Sequence, residues 1–362
     1  MKAVVGFSGG IDSVACCMSL LKQGYAVTAV YLRLSPFSGD FEIERVKSLA
    51  ARIGVEIEIK DARKCFEDLV LAPFRDAYSA LKTPNPCVEC NAAVKFPLLL
   101  EEADRLEAGF VATGHYARIV EEEGEMFLAR GVDKVKDQSY MLYRLPQSVY
   151  HRLVFPLGGR FKKDVAGETE AIYPEFFTGV PESRDLCFVE NGGAPEYLRE
   201  QGMEWPEGPI STKGGEILGK HRGLGRYTIG QRKGLGLSGG PWFAIAKDSK
   251  TNTLFVGGPD ELAATRVTCR KPVWRLMRTD LPHLTGQHRY RAGAVPVTLE
   301  NPTLEGFIVR ASDGRCFTGA APGQSMVLYS RDRVIGGGII ESSERRGLGH
   351  DDRRHACSRE TA

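Results

Sequence analysis

The sequence predicts an α/β protein with a Rossmann-like parallel, doubly wound sheet at the front, a small Gly-rich module in the middle and an antiparallel β-barrel or sandwich at the end. Three observations carry this reading. Short apolar runs alternate with helix-like segments early in the chain: strands are expected at Lys2–Phe7, Ala26–Leu34, Val55–Lys60 and Gly109–Thr113, with helical spacing over Glu42–Ile53. Such a β-then-α rhythm covers parallel strands with crossover helices and places ligands beyond the carboxyl ends of the strands. The stretch Ile210–Gly258 is basic and Gly-rich, with too little apolar sequence for a large core of its own. From Arg266 onward come the short strand candidates Arg289–Ala292, Val295–Leu299, Gly306–Ala311 and Met326–Tyr329, and the pair Asp313-Gly314 is a hairpin turn signal.

A chain of 362 residues exceeds one ordinary core, and 42% hydrophobic content supplies material for more than one. The expected divisions are residues 1–195, 196–262 and 263–344, with 345–362 a polar, aperiodic tail expected to be disordered. The charged, Gly/Pro-rich stretch from Glu190 to Pro209 marks the first boundary. No run of eighteen apolar residues is present to span a bilayer, and Met1-Lys2-Ala3-Val4-Val5-Gly6 reads as a strand entering a turn, not as a signal peptide. The expectation is a cytoplasmic protein without a membrane partner. Net charge is only +2, yet residues 211–250 hold eight Lys/Arg against two Asp/Glu, and 265–346 hold thirteen against seven. An acidic front and a basic back suggest a polyanion held by the back half, although a solvated basic face would give the same counts.

Strand Val4–Phe7 runs into Ser8-Gly9-Gly10-Ile11-Asp12-Ser13 and then into the helix-like Val14–Gln23. Glycines let the backbone approach a phosphate, the free N–H groups of the helix start and two serine hydroxyls donate to its oxygens, and Asp12 can hold Mg²⁺. A Gly-containing turn with a Ser/Asp helix cap is the plainer alternative. The loop lacks the Gly-Lys-Ser/Thr ending of a Walker P-loop. It resembles the PP-loop of ATP pyrophosphatases, which cleave ATP between the α and β phosphates to adenylate a substrate oxygen.

Nine cysteines in a cytosolic chain do not make a disulfide framework, so each is core filler, nucleophile or metal ligand. Thr83-Pro84-Asn85-Pro86-Cys87-Val88-Glu89-Cys90-Asn91 sets two thiols three residues apart after a proline-stiffened turn, and Cys187 follows in Asp185-Leu186-Cys187-Phe188. Taken alone, the pair suits a zinc half-site, a redox pair or a cluster corner. Cys16, Cys17, Cys65, Cys269 and Cys316 lie in apolar or strand-like surroundings and read as core filler.

Together with Thr113-Gly114-His115-Tyr116, Lys136-Asp137-Gln138-Ser139-Tyr140, Gly230–Gly236, Arg289-Tyr290-Arg291 and Pro322-Gly323-Gln324-Ser325, these stretches resemble, in order along the chain, the bacterial tRNA-specific 2-thiouridylases of the MnmA family. The resemblance implies a PP-loop domain, a small central domain and a C-terminal β-barrel that close on a tRNA anticodon stem-loop, with tRNAs for Lys, Glu and Gln as substrates. It implies ATP and Mg²⁺ at Gly6, Phe7, Ser8, Gly9, Gly10, Ile11, Asp12 and Ser13, with Leu32 and Gly114. Cys90 would be the nucleophile and Cys187 the persulfide carrier, with a sulfur-donor protein or sulfide as the partner that supplies sulfur. A uridine C2 carbonyl becomes a usable electrophile once its oxygen carries AMP, and thiolate or persulfide then displaces it. His115, Lys136, Asp137, Gln138, Arg232, Lys233, Arg289, Tyr290 and Gln324 would meet the tRNA.

One departure matters: the family commonly carries Asp where Cys87 stands. Three thiolates, Cys87, Cys90 and Cys187, could hold a [4Fe–4S] cluster with one iron open to carry sulfide, so cluster and persulfide routes both stay open. A smaller departure is Val14, where many relatives have a second serine. Two other readings compete: a PP-loop amidating synthetase, which would not need Cys90 and Cys187, and an RNA-binding barrel with a degenerate nucleotide domain.

Overall fold

A computed structural model describes residues 1–35, 39–179, 186–189 and 193–345. The chain forms two units, one from Met1–Ala72, Pro86–Glu190 and Asp332–Val334, the other from Pro73–Asn85, Asn191–Arg331 and the chain from Ile335 onward.

In the first unit the strands are β1 (Lys2–Gly6), β2 (Ala26–Arg33), β3 (Glu56–Asp61), β4 (Phe110–Thr113), the hairpin strands β5 (Ala117–Glu122) and β6 (Glu125–Arg130), and β7 (Leu153–Val154). Five of them make a parallel sheet in the order β3-β2-β1-β4-β7. β1 is an uninterrupted apolar run because both of its faces are covered, and Ala3, Val4 and Val5 are fully buried. Helix α1 (Ile11–Lys22) follows β1, and α2 (Asp40–Ile53) follows β2. The buried positions of α2, Val46, Leu49 and Ala50, recur at helical spacing and pack into the same core as Val14, Cys17, Leu20 and Tyr31. Strand order reverses at β1, since β2 and β3 lie on one side of it and β4 and β7 on the other. That switch point opens a crevice at the carboxyl ends of β1 and β4.

Two helices carry π-helical turns, Glu67–Leu71 and Asn91–Lys95, the second entered directly from the α-helical Pro86–Cys90 and continued by Phe96–Arg105. Such wide turns are rare and re-aim side chains, often at functional sites.

The second unit contains a small sheet of β8 (Gly208–Ser211), β9 (Ile217–His221), β10 (Phe243–Asp248) and β11 (Thr253–Gly257) in the order β10-β11-β8-β9. Its core is correspondingly small, built on Ile210, Leu224, Ala244, Leu254 and Val256. Strands β12 (Ala263–Trp274), β13 (Leu284–Gln287), β14 (Val295–Glu300), β15 (Gly306–Ala311), β16 (Phe317–Thr318), β17 (Ser325–Ser330) and β18 (Arg333–Arg345) follow. Six close into an antiparallel barrel in the order β12-β15-β14-β13-β17-β18, with β12 pairing back onto β18. Closure leaves no free edge, and Val267, Cys269, Val295, Val309, Met326 and Leu328 fill the interior.

Two expectations change, at Arg289–Ala292 and at Arg345. Arg289–Ala292 is a turn, not a strand: Ala292 N–H bonds back to Arg289 O at 3.2 Å and Arg291 has a φ of 64°. Four residues of mixed polarity mimic strand alternation, while the true strand lies just before them in β13. The stretch Glu190–Pro209 contains a helix, Ala194–Glu200, whose Tyr197 and Leu198 are buried. Arg345 ends β18, and residues 346–362 of the expected tail lie outside the described residues. Asp313 and Gly314 both have positive φ, 54° and 69°, and Arg315 N–H closes the turn on Ser312 O at 2.9 Å. No helix among the described residues is long and apolar enough to cross a membrane.

His288 ties the barrel's stability to pH. Its Nε2–H donates to Thr318 O at 3.0 Å, its Nδ1 has no hydrogen-bond partner, and burial pushes its pKa down to about 4. A proton on Nδ1 would be buried without an acceptor. The unfolded chain takes that proton near pH 6.5, so the contribution of His288 is complete above that value and is lost as pH falls toward 4. Urea unfolding between pH 7 and 4 is expected to show an acid-side loss on the order of 3 kcal/mol from this residue. His288→Gln should flatten that slope, and an unchanged slope would remove the assignment.

Candidate active site

The loop after β1 is built before any ligand arrives. Ser13 and Val14 N–H groups bond to Gly10 O at 3.0 and 3.2 Å, Ser13 Oγ donates to the same carbonyl at 2.8 Å, and Gly10 N–H reaches Ser8 Oγ at 3.4 Å. Gly9 sits at φ +71°, where a Cβ would strike Val46 of α2 at 2.8 Å, and Arg45 Nη2 donates to its carbonyl at 3.2 Å. A side chain there would be strained in its backbone and blocked in space. Two of the expected nucleotide residues face inward. Phe7 is 2% exposed and packs in the core, with its N–H bonded to Val30 O at 2.9 Å, and Ile11 packs against the same core. Gly6 ends β1 and Leu32 lies near the end of β2, half-buried.

β4 brings Thr113-Gly114-His115-Tyr116 beside this loop, because Gly6 and Thr113 are register partners. A Cβ on Gly114 would lie 2.7 Å from the backbone carbonyl of Asp12, so only glycine permits the approach. Asp12 Oδ1 accepts from Tyr116 Oη at 2.9 Å and from Lys162 Nζ at 2.6 Å. Lys162 opens the helix Lys162–Ile172, and its ammonium also lies 5.9 Å from the Tyr116 ring centroid. Asp133 Oδ2 accepts from the Lys162 N–H at 3.0 Å and so fixes this helix start. Phe161-Lys162-Lys163 has no distinguishing spacing in the sequence, and only folding brings Lys162 to Asp12. One accessible carboxylate beside a phosphate-type loop is a donor set that suits Mg²⁺, which takes one or two carboxylates together with phosphate oxygens.

The thiols gather in the same unit. Cys90 closes the α-helical Pro86–Cys90, only 6% exposed, and the helix is tied down by Asn91 Nδ2 donating to Met141 O at 3.1 Å and by a Glu89–Arg144 ion pair at 3.4 Å. Burial pushes the Cys90 thiol up to about 12, with Lys95 pulling it down and Cys187, Cys87 and Cys65 pushing it up. Cys187 is exposed at its surface, and the protein around it raises its thiol while Lys95 lowers it. Cys65, expected as core filler, is only half-buried and stands near these thiols, because Phe66 and Phe188 pack edge to face with centroids 5.9 Å apart. Cys87 is also half-buried, whereas Cys16, Cys17 and Cys269 are buried free thiols as expected, and Cys316, though buried, is disulfide-bonded and not simple core filler. Among the described residues no three His, Cys, Asp or Glu side chains are drawn together as metal ligands.

His115 accepts or donates at Nδ1 to Thr113 Oγ1 at 2.7 Å and packs against Phe96 and Phe155. Burial, then the charge of Lys95, hold its pKa well below the usual histidine value, so it is neutral. Lys95 therefore acts on Cys90, Cys187 and His115 alike. It ends the π-helical turn after Cys90, a position with no sequence signature.

The remaining expected contacts divide. Asp137 is buried and its carboxylate is occupied by Arg130 Nη1, Gly131 N, Ser139 N and Ser139 Oγ, at 3.0, 3.0, 3.0 and 2.9 Å. Gln138 exchanges hydrogen bonds with the Tyr116 backbone, both at 2.9 Å. Both shape the loop from within: the Asp137 carboxylate is engaged on both oxygens, and Gln138 binds Tyr116 through its Oε1 and its backbone N–H. Lys136 is half-buried beside them. In the second unit, Arg232 and Lys233 are exposed on the Gly-rich loop, Arg289 is exposed, and Tyr290 lies under the guanidinium of Arg291 at 5.3 Å. Gln324 is not free: its Nε2 donates to Thr83 O at 2.8 Å.

A Ser-Gly-Gly-Ile-Asp-Ser loop at the switch point of a parallel sheet defines the PP-loop class of ATP-using enzymes. Residues 1–191 match the tRNA methyl transferase HUP domain, 196–258 its PRC-barrel domain and 265–340 the aminomethyltransferase β-barrel domain. The tRNA-specific 2-thiouridylase MnmA of Dehalococcoides mccartyi is 38% identical over 93% of this chain and 96% of its own, and that of Helicobacter pylori strain G27 is 35% identical over 94% and 100%. A 4-thiouridine synthetase–RNA complex with bound ATP overlaps 56% of this chain and 49% of its own at a TM-score of 0.35 and 17% identity. The chain belongs to the tRNA-specific 2-thiouridylase (MnmA) family, and it is a tRNA sulfurtransferase.

Removing the Lys95 charge should move both thiols further up. In Lys95→Met the alkylation rate of Cys187, followed by mass spectrometry, is expected to rise only at higher pH than in the wild type. Lys95→Arg should keep the wild-type profile, and identical profiles for all three proteins would rule out this role.

Proposed function

We propose that the enzyme adenylates the C2 oxygen of the wobble uridine of tRNA and then replaces the adenylate with sulfur handled by Cys90 and Cys187. The observation that carries this reading is the pairing, in one unit, of a preformed PP-loop whose Asp12 is held by Lys162 and Tyr116 with a gathered set of thiols. In the first step uridine O2 bonds to the α-phosphorus of ATP and pyrophosphate leaves. Loop N–H groups of Gly9 and Gly10 with Ser8 and Ser13 receive phosphate oxygens, and Lys162 is placed to swing from Asp12 to the same charge. Mg²⁺, which Asp12 would hold, offsets phosphate charge when bound. Neutral His115 supports the base by hydrogen bonding without bringing a second cation.

In the second step a persulfide on Cys187 attacks C2 and AMP leaves with the C2 oxygen. Cys90 thiolate then attacks the Cys187 sulfur, which leaves sulfur on the tRNA and a Cys90–Cys187 disulfide that an external thiol reductant reopens. Exposure of Cys187 suits loading by a sulfur-donor protein, whose persulfide passes its outer sulfur to the Cys187 thiolate and leaves as the donor's thiolate, and burial of Cys90 keeps it from idle oxidation. The anticodon stem-loop is assigned to the exposed cations Arg232, Lys233 and Arg289 with Tyr290, which suit phosphate and base stacking.

The test is tRNA-dependent pyrophosphate release measured beside thiolation. Asp12→Asn is expected to lose pyrophosphate release while keeping its fold, whereas Cys90→Ser and Cys187→Ser release pyrophosphate but thiolate nothing. An amidating synthetase would keep its activity in both cysteine variants. Cys87→Ala separates the sulfur routes: in the persulfide route it keeps most activity and the anaerobic wild type carries no iron, whereas joint loss of iron, colour and thiolation would replace that route with a cluster.

The RNA surface is tested by salt. Affinity should fall linearly with log salt concentration, and Arg232→Glu with Lys233→Glu should lower the slope by about two. A flat salt response, or an unaltered slope, would remove the surface.

A further inference from the structure

Helix α1 opens on a glycine, which leaves its first N–H groups for a ligand. Gly10 is the N-cap, with φ −82° and ψ 159°, and no side chain caps the helix. The use of those N–H groups depends on one peptide plane, that between Gly9 and Gly10. In a trans peptide the carbonyl and the following N–H point in opposite directions, so wherever Gly9 O is held, Gly10 N–H is turned the other way. Two glycines in a row give that plane little preference of its own, because glycine takes positive and negative φ about as readily. A flipped plane would present a carbonyl oxygen to the phosphates in place of a donor, and the two negative ends would repel.

Arg45, on α2, holds this plane. Its Nη2 donates to Gly9 O at 3.2 Å, and its Nη1 comes within 3.0 Å of where a Cβ on Gly9 would stand. The contact on the other end of the plane is weaker: Gly10 N–H reaches Ser8 Oγ at 3.4 Å, long for a hydrogen bond and readily exchanged for a phosphate oxygen. The guanidinium is placed by the core, since Val46, next along α2, is fully buried and lies 2.8 Å from the same Cβ position, while Leu49 and Ala50 anchor the following turn. Among the described residues Arg45 has no carboxylate partner, and Glu44 beside it pairs with Lys47 at 2.9 Å. A half-buried guanidinium without an anion is unfavourable by itself. Here its charge lies at the loop that takes a polyphosphate, where Lys162 already answers the carboxylate of Asp12.

We propose that Arg45 is a positioning residue for adenylation: by holding Gly9 O toward α2 it turns Gly10 N–H into the phosphate site of the PP-loop. This rests on the two-step reading above, and it adds a residue of α2 to a loop otherwise built on β1, α1 and β4. In this role Arg45 touches neither the uridine nor the thiols, so its loss is felt in the handling of phosphate alone.

The experiment uses the full-length enzyme with purified substrate tRNA and three variants. Arg45→Met keeps most of the side-chain volume and loses every donor, Arg45→Lys keeps the charge but ends one atom short of Nη2, and Lys47→Met removes an exposed cation from the same helix. Affinities for ATP, inorganic pyrophosphate and adenosine are measured by calorimetry, and kcat and tRNA KM from pyrophosphate release. A bond from Gly10 N–H to phosphate is charge-assisted, so Arg45→Met is expected to weaken ATP and pyrophosphate about tenfold, with adenosine affinity and tRNA KM within about twofold of wild type. Arg45→Lys should fall between, at about threefold, and Lys47→Met should match the wild type. General damage to the fold would weaken adenosine and tRNA as well, and that result overturns the proposal. So does an Arg45→Lys enzyme equal to wild type, which makes the effect one of charge alone, and so do unchanged affinities in Arg45→Met or an equal loss in Lys47→Met. Should Arg45→Met fail to fold, Arg45→Lys against Lys47→Met carries the same comparison. A wild type that binds ATP yet releases no pyrophosphate with tRNA refutes the two-step reading, while the affinities still judge Arg45.

Discussion

The approach of Gly114 to the backbone of Asp12 is the constraint on which the catalytic unit depends. It exists because β1 and β4 are parallel neighbours with Gly6 opposite Thr113, so the loops leaving both strands emerge into one crevice. A side chain at residue 114 would push the loops apart by the width of a methyl group. With the gap closed, Tyr116 and Lys162 reach one oxygen of Asp12, and the helix Lys162–Ile172 is pinned at its start through Asp133. An acidic loop facing a polyphosphate would repel it, and the Lys162 ammonium offsets that charge before the ligand arrives.

The thiols pose the opposite electrostatic problem. A buried thiolate is costly, and Cys90 accordingly rests as a protonated thiol with its pKa near 12. Lys95 is the cation that favours ionisation of both Cys90 and Cys187, and it reaches them from the end of a π-helical turn. Burial first, and the same charge second, keep His115 neutral. One lysine thereby biases two sulfurs toward the thiolate and an imidazole toward its neutral form. Resting protonation also slows oxidation of Cys90.

Buried polar networks in this protein mostly hold shape. Asp137 has four donors around its carboxylate, Gln138 clasps the Tyr116 backbone, and Gln324 clasps Thr83. Each lies in a motif that reads as a contact with substrate, and each satisfies backbone or side-chain groups that would be expensive to bury alone.

The sequence by itself determined the parallel sheet, the PP-loop, the cysteine pair and the family, because these depend on local properties: apolar runs of strand length, glycines ahead of a helix, and thiols at fixed spacing. Val295–Leu299, Gly306–Ala311 and the Asp313-Gly314 turn were legible for the same reason. Arg289–Ala292 was not, since four residues are too few to tell alternation from a turn, and the bond from Ala292 N–H to Arg289 O is invisible in composition. Only the tertiary structure decided that Lys162 meets Asp12 across 150 residues, that Cys65 stands with the other thiols and that Gln324 holds Thr83 across 241. The physical reason is that a long-range pair is selected by the packing of whole strands and helices, and a side chain's own neighbours in sequence carry no record of the partner that packing will bring.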